Sequence, residues 1–445
     1  MSAKSFHAEF AWLGGREIAS DVLIETEEDR ITKVTPGTTP LPGAKRLRGL
    51  TLPGLINTHS HVFHRAIRGH TQMSDPDFWA WRDTMYGVAM RLDPDMLYQL
   101  ALATYTEMAL AGITTVGEFH YLHHAQDGTR YSDQNLMGRT VIQAANDAGL
   151  RITLLDTCYL QADIHGASLA GVQRRFDDGH WQGWMERVDD LVDSPMARIG
   201  AAIHSVRAVP REAFRPIRDY AERRKLPLHV HLSEQIAENA ASIEAHGCTP
   251  TELLDNEGVM GEATTAVHAT HLTERDIEIL GSSGTTISMC CTTERDLADG
   301  IGPAIQLARA GSPLCVGSDA QMMIDLWEEA RAIEMNERLI SGKRGHLRAD
   351  QLLTSLTQSG ANSLGWNSGR LEQGMLADFV TVDMASPRTA GAFTGDPLSH
   401  VVFAATSADI SNVFVGGVSV VEAGRHQSIS QPGNLLESAI AAVFP

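Results

Sequence analysis

Two histidines, His59 and His61, close the apolar run Leu52-Pro53-Gly54-Leu55-Ile56-Asn57-Thr58 at a spacing of i and i+2. If the run is a strand, alternation puts both rings on one face, about 7 Å apart along the backbone. Rings held that way can share one divalent metal, for which neutral imidazole is the commonest protein ligand. A lone His-x-His pair also occurs in cores and on surfaces, so the rest of the chain has to decide. Farther along, Glu118 and Tyr121, His204, His231 and Glu234, His268, and Asp319 each stand at or just past the end of another apolar run. His59, His61, His231 and Asp319 offer three imidazoles and a carboxylate, a donor set that suits one Zn²⁺ and would also hold Fe²⁺. An ion of this kind supplies hydrolytic chemistry at neutral pH by lowering the pKa of water to about 7. His229 shares a face with His231, but His231 lies nearer the end of its run, and His229 reads as a structural inner-layer residue.

The elements that must carry these residues come as eight apolar runs separated by helical stretches such as 94–111 and 210–224. The runs are 51–58, 113–119, 151–156, 198–204, 226–231, 264–268, 285–289 and 313–319. Near-continuous apolar strands alternating with helices predict an α/β chain, a (β/α)8 TIM-type barrel whose parallel strands are buried on both faces. In such barrels catalytic groups collect where the βα loops converge, at the C-terminal ends of the strands. Short alternating strands precede the barrel pattern (Ser20–Glu25, Arg30–Val34) and follow it (Leu376–Val382, Val413–Val421). The expected organisation is therefore a small β-sandwich domain built from both chain ends (residues 1–52 and 371–445, the latter with a terminal helix) around a metal-dependent barrel at 53–370.

Composition narrows the partners. With 36 basic and 55 acidic side chains in 445 residues, the formal net charge is -19. That sign argues against nucleic acid or an anionic membrane, both of which need a basic surface. No run approaches the roughly 18 apolar residues of a membrane span, and no signal-type apolar core follows Met1. The five cysteines are scattered without a Cys-x-x-Cys, so neither a disulfide framework nor a thiolate zinc site is signalled, and a cytoplasmic setting is the default.

The stretches Pro53–His61 and His229-Val230-His231-Leu232-Ser233-Glu234, with His268 and Ser318-Asp319, resemble the amidohydrolase superfamily in order and spacing. Within it the chain is most similar to the N-formimino-L-glutamate deiminases, through Phe78-Trp79-Ala80-Trp81-Arg82, Glu118–His124 and His204-Ser205-Val206-Arg207-Ala208-Val209. The resemblance implies hydrolysis of N-formimino-L-glutamate to N-formyl-L-glutamate and ammonia, a step of histidine degradation, by a homodimer. It implies that His268 hydrogen-bonds the attacking water, that Glu234 shuttles protons, and that Arg82, Tyr121, His204 and Arg207 hold the carboxylates of a small dicarboxylate substrate. Asp319 or His268 can take the first proton. Two arginines suit such a substrate, since guanidinium clamps carboxylate bidentately.

The only lysines are Lys4, Lys33, Lys45, Lys225 and Lys343, none in the third or fourth strand, so the carboxylated-lysine bridge of two-metal relatives cannot form there. One metal is expected. The chain departs from better-known members at His64, where they carry glutamine, and at Ala320-Gln321, where Ser-His is frequent; both positions are expected near the substrate. Arg82 also reads as a helix-capping surface residue, Tyr121 as core, the run His120, His123, His124 as structural, and Cys290-Cys291 as packing. The alternative activity is a mononuclear-metal deaminase of an aromatic heterocycle such as guanine or an aminotriazine. A barrel that has lost catalysis and serves assembly is a further class, set against the full ligand set present here.

Overall fold

In the computed structural model two eight-stranded sheets divide the chain. Residues 3–71 and 78–444 are described, with 78–80 described through their helical backbone alone. One is mixed; the other is all parallel, its eight strands paired in unbroken sequence order.

The parallel sheet comprises β5 (Leu55–Ser60), β6 (Ile113–His120), β7 (Arg151–Cys158), β8 (Ala197–Ile203), β9 (Leu228–Leu232), β10 (Thr264–His268), β11 (Thr286–Met289) and β12 (Leu314–Val316). Every residue of β5, β6, β7 and β9 is buried, as expected for strands covered on both faces. Helices α1 (Phe78–Arg91), α2 (Pro94–Leu110), α3 (Leu136–Asp147), α4 (Trp181–Asp189), α5 (Arg211–Arg224) and α6 (Ile236–His246) intervene, with further helices after β10, β11 and β12. Asp93 caps α2 by accepting from Met96 N (2.8 Å), and Pro94 occupies the first turn, where no N–H is missed. The seam between β12 and β5 is closed just past the strand ends, where Asp319 N donates to His59 O (3.0 Å) and His61 N to Asp319 O (3.2 Å). The barrel is thus nearly closed, and its closing stitch lies among the candidate ligands themselves.

The mixed sheet is built from both ends of the chain. β1 (Lys4–Trp12), β2 (Ile18–Glu27), β3 (Arg30–Thr35) and β4 (Lys45–Pro53) come from the first, and β13 (Phe379–Val382), β14 (Ile410–Val415), β15 (Val418–Glu422) and β16 (Arg425–His426) from the second. β13 pairs antiparallel with β4, which joins the two sets. The sheet curls until Ile31 N reaches Met375 O (2.8 Å), enclosing a second core around the rings of Phe6, Phe379 and Phe414. A buried ion pair, Arg151 Nε to Asp378 Oδ2 at 2.8 Å, ties the start of β7 to this sheet. The first apolar run read from the sequence divides here: β4 ends at Pro53 in one sheet and β5 begins at Leu55 in the other.

Candidate active site

The side chains singled out at the strand ends meet at one mouth of the barrel. His59 Nε2 lies 3.1 Å from His231 Nε2 and 3.2 Å from Asp319 Oδ1, and His61 Nε2 lies 3.4 Å from the same oxygen. The rings of His61 and His231 are turned by their other nitrogens: His61 Nδ1 donates to Phe119 O and His231 Nδ1 to His204 O, both at 2.9 Å. With the proton fixed on Nδ1, each Nε2 presents a lone pair to the centre of the cluster. Burial holds His59 at about 3 and moves His61 and His231 down as well, so the imidazoles are neutral. Burial works against the Asp319 carboxylate, but the hydrogen bond from His59 and the surrounding rings outweigh it and keep it ionised. The lone pairs of His61 and His231 converging beside an ionised carboxylate are what a divalent cation needs, and with His59 the donor set fits one. The triads His59, His61, His231 and His59, His268, Asp319 each bring ligand atoms within 4.8 Å of one another.

The backbone pays for this convergence in strain. Ser233, His268, Ala269, Asp319 and Gln321 all hold left-handed φ values between 42° and 70°, unusual for side-chain-bearing residues and of order 1–3 kcal/mol each. They cluster at the ends of β9, β10 and β12. Gly317 permits the approach of Asp319, since a Cβ there would sit 2.6 Å from His59 Cβ.

Around the cluster, His268 turns Nε2 toward Glu234 Oε1 (3.8 Å) and Asp319 Oδ2 (3.9 Å). A cavity of about 560 Å³ opens from these groups and is lined by Arg82, Tyr121, His204, Arg207 and His64. Arg82 comes from α1, where it packs over the Tyr86 ring, and Arg207 from the turn after β8. His229 lies apart, its Nε2 donating to Ser363 O at 3.1 Å. His123 and His124 bond carbonyls of Thr157 and Asp177, so with His120 they form no second metal cluster.

One expectation is corrected. Gln321 does not line the cavity: its side chain is fully buried behind the ligands, donating to Ser60 Oγ and accepting from Ser318 Oγ, both at 2.8 Å. The left-handed turn at Asp319 and Gln321 sends it beneath the strand ends. His64 does line the cavity. Of the aromatic stretch 78–82, the side chains of Phe78 and Trp79 lie outside the described ones.

Glu118, already singled out at a strand end, accepts from Val62 N and Ser60 Oγ, both at 2.7 Å, and so supports the strand end that carries the histidines; burial pushes it up to about 8. Several other site residues escaped the sequence reading. Tyr159, Tyr86 and Phe176 complete the cavity wall, and Glu238 grips Arg207 from α6. Tyr159 directly follows β7 and could have been found by the strand-end rule. Phe176 and Glu238 stand in segments with no such signal. Asp299 receives the Gln235 amide close to Glu234, and burial pushes it up to about 8.

Residues 50–420 match the model of the amidohydrolase family, and the chain belongs to that family. It is a hydrolytic enzyme of the family's deaminase branch. A formimidoylglutamate deiminase of Pseudomonas aeruginosa is 34% identical over 397 residues, covering 86% of this chain and 87% of that protein. A 5-methylthioadenosine/S-adenosylhomocysteine deaminase of Natronomonas pharaonis is 26% identical over 378 residues, covering 84% and 81%. Among solved structures, an amidohydrolase from Brucella melitensis superposes with a TM-score of 0.89 at 29% identity, covering 99% of this chain and 100% of that one. No helix among the described residues is long and apolar enough to cross a membrane.

Proposed function

We propose that this chain hydrolyses the formimino group of N-formimino-L-glutamate, taking up water and releasing N-formyl-L-glutamate and ammonia. What carries the reading is that Arg82, Tyr121, His204 and Arg207 line the same cavity as the imidazole–carboxylate cluster and Glu234. Two guanidinium groups, a phenol and an imidazole suit a small dicarboxylate, and in a chain of net charge -19 the guanidinium groups supply local positive potential that the whole molecule lacks. The 34% identity to a formimidoylglutamate deiminase supports the same substrate.

His59, His61, His231 and Asp319 would hold one divalent ion, Zn²⁺ first and Fe²⁺ second, which supplies a hydrolytic nucleophile near neutral pH. The chain's own groups do the rest. His268, with Nε2 facing both Glu234 and Asp319, holds the attacking water against the formimino carbon. Asp319 or His268 takes the first proton as attack proceeds. Glu234 carries the water's other proton to the imino nitrogen, and the proton held by Asp319 or His268 follows to the same nitrogen, so that the tetrahedral intermediate expels ammonia as its C–O bond becomes the formyl carbonyl. A positioned acid–base group of this kind contributes about 10²–10⁴-fold.

A second reading, deamination of an aromatic heterocycle, draws on the aromatic wall and on the adenosine-type relatives. Tyr121, Tyr159 and Phe176, however, pack edge-on or tilted against one another, with centroids 5.0–6.5 Å apart. No two of these three rings lie parallel, as the walls of a slot for a planar ring would. Ammonia release from N-formimino-L-glutamate, guanine and 5-methylthioadenosine separates the readings. Arg207→Ala should raise KM for N-formimino-L-glutamate far more than the exposed control Arg223→Ala; equal effects would remove the dicarboxylate assignment.

A further inference from the structure

Glu238 sits on the first turn of α6, 1% exposed, and neither of its oxygens faces solvent chemistry. Oε1 accepts from Ser233 N at 3.2 Å, and Oε2 accepts from Arg207 Nε at 3.0 Å. Ser233 is the left-handed residue (φ 49°) between the candidate ligand His231 and Glu234, so the turn that aims Glu234 hangs on Oε1. Arg207 arrives from the loop after β8, and its Nη2 stands 3.6 Å from Glu234 Oε2. One carboxylate therefore grips both the turn that carries the proton shuttle and the arginine that reaches toward the substrate.

Resting on the functional reading above, we propose that Glu238 is a positioning residue that sets Arg207 and Glu234 in register, one through each carboxylate oxygen. The two arms make separable contributions. The Arg207 arm acts on substrate anchoring, because a guanidinium held through Nε keeps its Nη groups turned into the cavity. The Ser233 arm acts on the chemical step, because a strained turn persists only while its surroundings over-determine it.

The chemistry of an amide separates the arms. In Glu238→Gln the carbonyl oxygen can still accept from Ser233 N, but the NH₂ then faces the Arg207 N–H and cannot accept. Glu238→Ala removes both contacts. Hydrogen bonds to charged groups are worth enough to change a rate or affinity by about tenfold to a hundredfold. With N-formimino-L-glutamate, Glu238→Gln should raise KM about tenfold or more with kcat within about threefold of wild type. Glu238→Ala should raise KM similarly and also lower kcat about tenfold or more. On an Arg207→Ala background, Glu238→Gln should add no further rise in KM. Bound zinc per chain, measured on the same preparations, should stay at the wild-type level. If the two Glu238 variants behave alike, if the KM effect persists without Arg207, or if zinc is lost, the clamp is wrong.

Should the wild type release no ammonia from N-formimino-L-glutamate, the functional reading fails and the clamp is judged on a crystal structure of Glu238→Ala. Displacement of the Ser233 turn or of Arg207 supports it, and retention of both overturns it.

Discussion

Tyr121 and His64 are joined at 3.1 Å between the phenol oxygen and Nε2, and the direction of that hydrogen bond can be worked out. Burial moves His64 well below its ordinary value, so the ring is neutral and carries one proton. His64 Nδ1 is buried with no hydrogen-bond partner among the described residues. An orphaned buried N–H is rarer and costlier than an orphaned lone pair, so the proton belongs on Nε2 and His64 donates to Tyr121. Burial also keeps the phenol protonated, well above its usual range. Its hydrogen is therefore left to point into the cavity.

From this, Tyr121→Phe is expected to raise KM for N-formimino-L-glutamate about tenfold or more, the worth of a hydrogen bond to a charged group, with kcat changed less than threefold or so. His64→Phe, which leaves the phenol free to rotate, should give a smaller rise, and the double variant should equal Tyr121→Phe. Steady-state kinetics on the four proteins decides it; independent, additive effects would mean that His64 reads the substrate directly.

Metal dependence follows from the ligand cluster. His231→Ala should leave less than about a tenth of the wild-type metal content while the chain remains folded, because loss of one buried imidazole opens a coordination position without exposing a charge. Stripping metal from the wild type with a chelator should lower Tm, and Zn²⁺ should restore it in a concentration-dependent way, since an ion that binds only the folded chain stabilises it by mass action. An apoprotein whose Tm ignores added Zn²⁺ would contradict the assignment of His59, His61, His231 and Asp319 as ligands.

How much of this was legible beforehand depended on whether a residue's role was local. His59, His61, His268 and Asp319 end apolar strands, and a barrel brings all strand ends to one mouth whatever the loop details, so strand-end position alone gathered them. β12 is only three residues long, yet its register survives because Ser318 is held by Asn57 (Ser318 N to Asn57 Oδ1, 3.0 Å). Gln321 was misplaced because its direction is set by a left-handed φ of 59°, which no side-chain pattern announces. Glu238 and Phe176 were missed for a related reason: their use depends on how α6 and the short helical turn at Gly171–Arg175 dock, a tertiary outcome without periodic signature. The paired ends of the small sheet were readable as strands, but its curl around Phe6 and Phe414 was not.

His120 provides a test of pH linkage away from the ligand cluster. Burial pushes it down to about 4, so the folded chain keeps it neutral where the unfolded chain, near 6.5, takes up a proton. The unfolded state binds more protons between those values; the stability contribution is fully present above pH 6.5 and is lost as pH falls toward 4. Buried acids such as Glu118 and Asp178, raised to about 8 and 7, act in the opposite sense, so the difference between two proteins is the quantity to read. Relative to His120→Gln, the wild type should lose about 1.4 kcal/mol of urea stability per pH unit between roughly 6 and 4. Parallel stability curves for the two would show that His120 titrates normally.

The buried ion cluster behind the cavity wall sets the last expectation. Arg187 meets Asp156 through two hydrogen bonds (2.7 and 2.8 Å) and Asp178 through one (2.9 Å), and Trp184 Nε1 adds a bond to Asp156 at 3.0 Å. Arg187 Nη2 also lies 3.1 Å from His123 Nε2, beside the loop that carries Tyr121 into the cavity. Removing only the cation strands two buried carboxylates, so Arg187→Met should cost about 3–5 kcal/mol of stability at pH 7.5. Burial already pushes Asp178 up to about 7 even with Arg187 in place. Without the guanidinium its folded pKa rises further, the folded state holds protons that the unfolded state has released, and stability is gained as pH falls. The deficit of Arg187→Met relative to wild type should therefore shrink between pH 7.5 and 5.5, and adding Asp178→Asn should recover at least about 1 kcal/mol at pH 7.5, since partners in one buried network are not additive. Urea unfolding of the three proteins at both pH values makes the measurement, and a deficit that is constant with pH and unmoved by Asp178→Asn would mean that Arg187 contributes packing alone.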